Sequence, residues 1–304
     1  MGLNEKFFKS ASGGGFVASE NFAPTIWTGN DTARNISTGF APDFVWIKSR
    51  SAARNHYLYD SIRGANNQLL TNATSAQANI GERLTAFNSD SFRLGTSAEV
   101  NNASTEKYVG WAWKGGGAAA NGSGTNVTSV KVSANQDAGF SIVKYNYQSS
   151  SAATISHGLN AAPEMVIVKP YNSTLGSTWF VYHSSIGAGK ELYLNNTSAN
   201  GSDGSRWNNT APTTSVFSIG TSFGSYPSYY HGDHIAYCFH SVSGYQKVGS
   251  YTGNGGSNPV YTTDNGASGG ANGFKPRFLM FKRTDDLGSW FILDGTRNTS
   301  DTWS

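Results

Sequence analysis

Hydrophobic residues in this chain come in short runs separated by the turn formers Gly, Asn, Ser and Pro. The run Phe44-Val45-Trp46-Ile47 is apolar at consecutive positions, which is typical of a central strand covered on both faces. Other runs alternate, as in Ser129-Val130-Lys131-Val132, and predict strands with one solvated face. No stretch has a convincing helical period, so helix is expected in a turn or two, with 51–54 and 75–79 as the best candidates. The pattern predicts an all-β protein built from antiparallel β-sandwiches of the jelly-roll or lectin-like kind.

Several of these runs return along the chain in the same order. The block 41–48 recurs at 162–169 and again at 275–282, a spacing of about 120 residues. Further matches are 56–59 with 179–182 and 290–293, 91–96 with 216–221, 108–113 with 235–240, and 27–30 with 251–254. Matches in one order predict two and a half tandem copies of a single unit.

The repeats predict where the units begin and end. The expected parts are an N-terminal segment 1–21, a first unit 22–117, a linker 118–126, a second unit 127–245 and a partial third unit 246–304. The linker continues a tract rich in Gly and Ala from Gly115 and is expected to be flexible. The third copy stops before its counterparts of 91–96 and 108–113, which would leave an unpaired sheet edge. We expect that the natural chain continues or that another subunit completes the fold, and we favour continuation.

Composition narrows the classes of partner. Charged residues make up 13% of the chain and the formal net charge is +3, with no basic stripe of the kind that binds nucleic acid. The single cysteine, Cys238, excludes an intrachain disulfide, and its apolar neighbours predict a buried, inert thiol. The N-terminus lacks a signal-peptide core, and no apolar run is long enough to insert into a membrane. A polar surface without an export signal fits a particle that is assembled in the host cytoplasm and released by lysis.

A family resemblance rests on four stretches: 4–9, 41–48, 60–64 and 251–255. These resemble the repeated, poorly characterised domain found in tail-fibre-like and other virion proteins of marine and freshwater phages, cyanophages among them. The similarity covers nearly the whole chain. It implies a virion location, with other tail or capsid proteins as partners, and it offers no established catalytic residues.

Two charged features recur between copies. A lysine ends each central strand, at Lys48, Lys169 and Lys282. It could contact an anion or a sugar, but a strand-end lysine that keeps its stem on the sheet and its ammonium group in water is the favoured interpretation. An Asp-x-x-Arg spacing occurs at 60–63 and 294–297, whereas 183–186 in the second copy lacks both charges. A bidentate pair that fixes a loop is therefore expected rather than a catalytic group.

The loop at 226–234 is the most unusual stretch and supplies the candidate ligand-binding residues. They are Tyr226, Tyr229, Tyr230, His231, Asp233 and His234. Imidazole and carboxylate are metal ligands, yet the cluster has no Cys, no helical context and no visible distant ligand, so no metal site is predicted. Exposed Tyr rings could instead stack on sugar rings of a host surface glycan. Packing against a neighbouring subunit or domain is the third alternative, and the favoured one.

Signals for catalysis are weak throughout. No pair of carboxylates is singled out for glycoside hydrolysis, no Gly-x-Ser-x-Gly elbow occurs, and the glycines at 253–256 precede no helix. We therefore predict no enzyme and no cofactor, and a polysaccharide depolymerase is the least favoured alternative.

The N-terminal segment places Phe7 and Phe8 before a Gly13-Gly14-Gly15 hinge. Two adjacent aromatics that cannot form a core of their own predict insertion into a partner's pocket, and a disordered terminus is the alternative. The expected function is a virion structural protein of the tail-fibre or appendage type. It would dock by its N-terminus and present repeated units, as a homo-oligomer with a trimer favoured, for adhesion to the host surface. The alternative is a capsid-decoration or tail-collar protein with no receptor.

Overall fold

The computed structural model describes residues 16–102, 105–172, 176–223 and 230–297, and strands dominate it. The helical segments include α1 (Ala98–Asn101) and two 3-10 turns at Ala18–Glu20 and Thr221–Phe223, and Tyr230 is also helical. The Ser97 side chain caps α1 by accepting a hydrogen bond from the Glu99 amide. Neither stretch predicted to carry a helical turn is helical, and 78–79 forms a strand instead. The all-β prediction is confirmed.

The first unit is a sandwich of two antiparallel sheets. Its strands are β1 (Phe22–Thr28), β2 (Arg34–Ser37), β3 (Phe44–Ser49), β4 (His56–Asp60), β5 (Asn67–Leu70), β6 (Ala78–Asn79), β7 (Leu84–Phe87), β8 (Ser91–Leu94) and β9 (Lys107–Trp113). The larger sheet has the order β1-β9-β3-β4-β5-β6, and the smaller has the order β2-β8-β7.

The second unit repeats this plan. Its strands are β10 (Ala120–Asn121), β11 (Gly124–Thr125), β12 (Val127–Asn135), β13 (Phe140–Tyr147), β14 (Ala153–Ser156), β15 (Met165–Pro170), β16 (Phe180–His183), β17 (Leu192–Tyr193), β18 (Val216–Ile219) and β19 (Gly232–Phe239). The larger sheet has the order β10-β12-β13-β19-β15-β16-β17, and the smaller has the order β11-β14-β18.

The third unit contributes one hairpin to the described structure. It consists of β20 (Phe278–Phe281) and β21 (Phe291–Asp294), paired antiparallel with Phe278 opposite Asp294. The matching blocks in sequence make β20 the counterpart of β3 and β15, and β21 the counterpart of β4 and β16.

The larger sheets are covered on both faces, as the consecutive apolar runs predict. Along β3, Val45 and Ile47 point into the core of the first unit, and Phe44 and Trp46 point into a second core on the other face. Successive strand residues point to opposite faces, so a strand buried on both must be apolar at every position.

That second core is shared by all three units. The first unit supplies Trp111, the second supplies Tyr237, and from the third Met280 and Ile292 pack against it. The two larger sheets therefore lie face to face across one apolar layer, with the β20–β21 hairpin at its margin. The units pack on one another through this core.

The prediction that the linker 118–126 is flexible is wrong. Within 118–126 the chain forms β10 and β11, which pair with β12 and β14. The glycines permit close backbone approach, because a Cβ on Gly116 would lie 2.5 Å from the Ala134 carbonyl oxygen and one on Gly124 would lie 2.3 Å from that of Thr154. Glycine here allows tight packing.

The register of the closing strand also differs from the match of 108–113 with 235–240. In the structure Trp111 pairs with Trp46, and Tyr237 pairs with Ile167, the counterpart of Trp46. Trp111 therefore corresponds to Tyr237, one position away from the sequence match. A slip of one residue in a strand exchanges its two faces, so this correction decides which side chains reach the shared core.

Candidate functional site

The loop predicted to bind a ligand is largely structural where it is described. Tyr226 and Tyr229 lie outside the described residues. The half-buried ring of Tyr230 packs against Phe180 and Phe223, with centroid distances of 5.6 and 5.7 Å. This part of the loop covers the core of its own unit, the second, rather than a neighbouring subunit or domain.

The remaining described residues of the loop contact neighbours within their own unit. His234 is fully buried and stacks on Tyr145 at 5.0 Å, and burial lowers its pKa to about 4, so its ring is neutral at physiological pH. The Asp233 carboxylate accepts a hydrogen bond from Asn146, and the His231 ring packs edge-on against Tyr147. No group of three or more His, Cys, Asp and Glu side chains that could hold a metal ion occurs in the described part of the chain.

The docking residues Phe7 and Phe8 also fall outside the described residues. Their predicted insertion into a partner's pocket stays a prediction. Over the ranges that the structure covers, no helix is long and apolar enough to cross a membrane.

Two of the three strand-end lysines, Lys169 and Lys282, make the same pair of contacts. The Lys169 ammonium group donates to the Thr74 carbonyl of the first unit at 3.0 Å and to the Ser177 carbonyl of its own unit. The Lys282 ammonium group donates to the corresponding carbonyls of Thr197 in the second unit and Gly288 in the third. These two lysines join units through main-chain oxygens, which supports a structural role. The expectation of an ammonium group in water is wrong for Lys169, which is buried.

Lys48 makes the contact within its own unit. Its ammonium group donates to the Arg54 carbonyl at 2.9 Å, at the position that corresponds to Ser177. Burial differs among the three lysines: Lys169 is fully buried, and this lowers its pKa to about 7.

The Asp-x-x-Arg motif of the first unit fixes a loop and also reaches the second unit. The Arg63 guanidinium group donates to the Asp60 carboxylate at 2.6 Å, and both side chains are almost completely buried. The same carboxylate oxygen accepts a 2.7 Å hydrogen bond from the Tyr237 hydroxyl of the second unit. The predicted loop-fixing pair is thus also an inter-unit contact.

The third unit repeats this arrangement against the first. The Asp294 carboxylate accepts a hydrogen bond from the Arg297 side chain and a 3.0 Å hydrogen bond from the Trp111 indole. In the second unit the corresponding position is His183. Its Nδ1 accepts a hydrogen bond from the Ser185 amide at 3.2 Å. In the same way, Asp294 Oδ1 accepts from the Thr296 amide at 3.1 Å. Histidine thus keeps the turn contact that Asp294 makes in the third unit.

Two tryptophans give the same order of contacts. The Trp179 indole of the second unit donates to the Leu70 carbonyl of the first at 2.9 Å. The Trp290 indole of the third unit donates to the Tyr193 carbonyl of the second at 2.8 Å, and Tyr193 occupies the register position of Leu70. The second unit therefore donates to the first, and the third unit donates to the second. The bond from Trp111 to Asp294 adds a contact in which the first unit donates to the third. The order is cyclic.

An open cleft of about 710 Å³ lies where the three units meet, with 194–197 of the second unit among its lining residues. Its lining includes Trp46, His56, Trp111, Trp290 and Arg297. The Arg297 guanidinium group lies 5.2 Å from the Trp111 ring centroid, while burial and the nearby Lys48 and Arg297 charges lower the pKa of His56 to about 4. Aromatic surface with a cationic rim suits a protein segment or a polar, electron-rich ligand.

Comparison with known families adds one result. The model of a family described as "Domain of unknown function (DUF7483)" matches residues 17–304. The chain belongs to the DUF7483 family. No curated protein and no solved structure matches it.

The sequence of this DUF7483 chain indicates the repeated charged residues but not the groups with which they form hydrogen bonds. Lys169 and Asp60 were singled out by their repetition, whereas Thr74 and Tyr237 were not. A signal did exist for the tyrosine, since an aromatic hydroxyl inside an apolar strand needs a buried acceptor. The Thr74 carbonyl carries no such signal, because any residue supplies the same group.

Proposed function

We propose that this protein is a non-catalytic structural component of a phage virion, of the tail-fibre or appendage type. The observation that supports it best is the use of the repeated charged residues. The Lys169 and Lys282 ammonium groups bind main-chain carbonyls of the neighbouring unit, and the Asp60 and Asp294 carboxylates bind aromatic donors of the neighbouring unit. A binding or catalytic residue faces its ligand, whereas these side chains hold neighbouring units together.

Rigidity is a further argument for an architectural role. Units that share a core and exchange hydrogen bonds through buried charges transmit load as one body, which a fibre or collar requires. The resemblance of 41–48 and 251–255 to repeated virion domains supports a phage particle as the proposed location of such a body.

Adhesion to the host surface is the second part of the proposal. A surface of Asn, Ser, Thr and Gly offers neutral hydrogen-bonding groups that suit glycans, and the charged fraction of 13% adds little repulsion from acidic cell envelopes. The alternative, a decoration or collar protein without a receptor, is favoured by the loop at Tyr230 and His234, whose rings pack inward.

Immunogold labelling of intact particles of a phage that encodes this chain tests the virion location. Label at the tail is expected, label on the capsid would favour the decoration alternative, and particles free of the protein would contradict both. Purified protein that labels host cells and blocks adsorption would support adhesion, and failure of both would leave the purely structural role.

Docking through the N-terminal segment is tested with a separate variant. Phe7→Ser with Phe8→Ser should abolish incorporation into particles, because the apolar anchor is removed. The matched control, Lys6→Ser with Lys9→Ser, alters the same segment and should be incorporated normally. Equal incorporation of both variants would contradict docking through the two phenylalanines.

A further inference from the structure

The hairpin of the third unit has one open strand edge. Within the described ranges β20 pairs only with β21, whereas its counterparts β3 and β15 each pair on both sides. Their second neighbours are the closing strands β9 and β19. The third unit therefore presents at β20 the edge that the other two units cover.

The two closing strands show what such an edge receives. Trp111 of β9 lies opposite Trp46, and Tyr237 of β19 lies opposite Ile167. Both aromatic side chains enter the shared core and donate a hydrogen bond to the acid of a neighbouring unit. In the third unit the position opposite the closing aromatic is Met280, which packs against the same core.

The strand entrance gives an independent match. The Asp43 amide donates to the Trp113 carbonyl at 2.9 Å, and the corresponding Glu164 amide donates to the Phe239 carbonyl at 2.8 Å. Arg277 holds this place in the third unit, and its carbonyl accepts from the Gly295 amide just as Asp43 accepts from Ser61. The side of β20 that pairs with β21 thus begins with the same hydrogen-bonding geometry as the corresponding side of β3.

The opening segment of the third unit also needs a closing strand. In the first unit β1 pairs only with β9, and its Trp27 is 8% exposed. The sequence counterpart Tyr251 lies in 247–252, which forms no strand, and it is 53% exposed. One inserted strand would give a partner to both 247–252 and β20, since the order in the first unit is β1-β9-β3.

We propose that the free edge of β20 binds an antiparallel partner strand of the β9 and β19 type, with a Trp or Tyr opposite Met280. Main-chain hydrogen bonds to 277–281 provide affinity, and the aromatic side chain in the shared core provides register. By the cyclic order, the aromatic side chain lies beside His183, which replaces the acid of the other two junctions and whose Nδ1 already accepts from the Ser185 amide. The segment 247–252 then pairs on the far side of the bound strand.

A synthetic peptide with the sequence of 106–114, extended by lysines for solubility, serves as the probe. Hydrogen exchange of the full chain, with and without peptide, should show new protection at 277–281 and at 247–252 together. The Tyr251 ring should become buried, which a solvent-quenching measurement detects. Protection confined to other strand edges, such as β6 or β17, or no binding at millimolar peptide, would overturn the proposal.

Two matched changes test the register. A peptide with Thr in place of both tryptophans keeps its strand propensity and should bind at least about tenfold more weakly. The variant His183→Asp restores the acid found at Asp60 and Asp294 and should bind the original peptide about tenfold more tightly. Equal affinities in both comparisons would contradict an aromatic anchor.

Sedimentation of the protein alone tests the competing occupant. A monomer that binds the peptide agrees with the proposal. A dimer that protects 277–281 and excludes the peptide would overturn it, because the edge would then be covered by a second copy of the chain.

Discussion

The Tyr237 hydroxyl donates a 2.7 Å hydrogen bond to the Asp60 carboxylate and thereby joins the second unit to the first. Both side chains are buried, and burial raises the pKa of Tyr237 well above its usual value, so the phenol stays protonated and remains a donor. The Trp111 indole makes the corresponding bond to Asp294. Two different aromatic residues thus perform one role, and the shared requirement is a donor at that position of the closing strand.

Removing this donor should weaken the whole molecule. Tyr237→Phe keeps the ring in the shared core but leaves the carboxylate with one fewer partner, and a hydrogen bond to a charged group contributes about 1.5–3 kcal/mol. The free energy of unfolding, measured by chemical denaturation, should fall by about that amount. Tyr251→Phe changes a ring that is 53% exposed and should leave stability unchanged. Equal effects of the two variants would contradict a role for the Tyr237 hydroxyl.

Loss of the acid itself should cost more than loss of the tyrosine hydroxyl. Asp60→Asn leaves the Arg63 guanidinium group buried without a counter-charge, which destabilises proteins by about 3–5 kcal/mol. Adding Arg63→Met removes the stranded charge and should recover part of the loss. Asp285→Asn breaks an exposed pair with Arg283 and provides the control, which should leave the free energy of unfolding essentially unchanged. A double variant no more stable than Asp60→Asn would argue against this interpretation.

The strands could be predicted from the sequence because each depends on a local pattern. The consecutive apolar residues Phe44 to Ile47 require two covered faces, and the structure supplies them. The register of β19 was predicted wrongly because Tyr237 and Cys238 are both acceptable core residues, so similarity alone does not tell which one faces which side.

The junctions between units could not be predicted for a different reason. Their chemistry depends on pairs far apart in sequence, such as Lys169 with the Thr74 carbonyl, and on main-chain groups that every residue has. The linker shows the same limit: Gly116 is compatible with flexibility and with close packing, and only the position of Ala134 decides between them.

The buried Lys169 should make stability depend on pH. Burial lowers its pKa from 10.5 to about 7, so between these values the unfolded chain binds more protons than the folded one. Stability should therefore rise with pH from about 7 towards 10.5, by at most about 1.4 kcal/mol per pH unit. The difference in free energy of unfolding between wild type and Lys169→Met, followed by urea denaturation across this range, isolates the contribution of this residue.

Lys282 provides the matched control for the pH effect. It makes the corresponding contacts in the third unit but is only half-buried, and burial lowers its pKa. The difference between wild type and Lys282→Met should therefore vary less with pH than that for Lys169→Met. A flat profile for Lys169→Met would mean that the two carbonyls hold the ammonium form at its ordinary pKa.

One pair of glycines should tolerate no side chain. Gly220 and its counterpart Gly95 donate their amides to the Arg206 and Arg83 carbonyls at 2.8 and 2.7 Å. A Cβ on Gly220 would lie 1.7 Å from a main-chain oxygen. Gly220→Ala must displace backbone, and a loss of about 2–4 kcal/mol is expected. Gly81→Ala, where a Cβ meets nothing within 4 Å, is the control for glycine removal itself. Equal melting temperatures for the two variants would contradict the close approach.

The shared core predicts that the first and second units unfold together. Cys238 reports on the second unit, because its thiol is fully buried and burial raises its pKa to about 12, so it should resist alkylation in the native state. Trp27 reports on the first unit, from a core that does not include the thiol.

The Trp27 signal is the part of the fluorescence change on unfolding that is missing in a Trp27→Phe variant. As denaturant is added, this signal and thiol labelling should follow one transition. Tyr237→Phe, although it alters only the junction, should shift both probes equally. Separate midpoints would mean that each unit is stable alone and that the apolar layer between them is only a docking contact. A single midpoint would make the common core the cooperative unit of the fold.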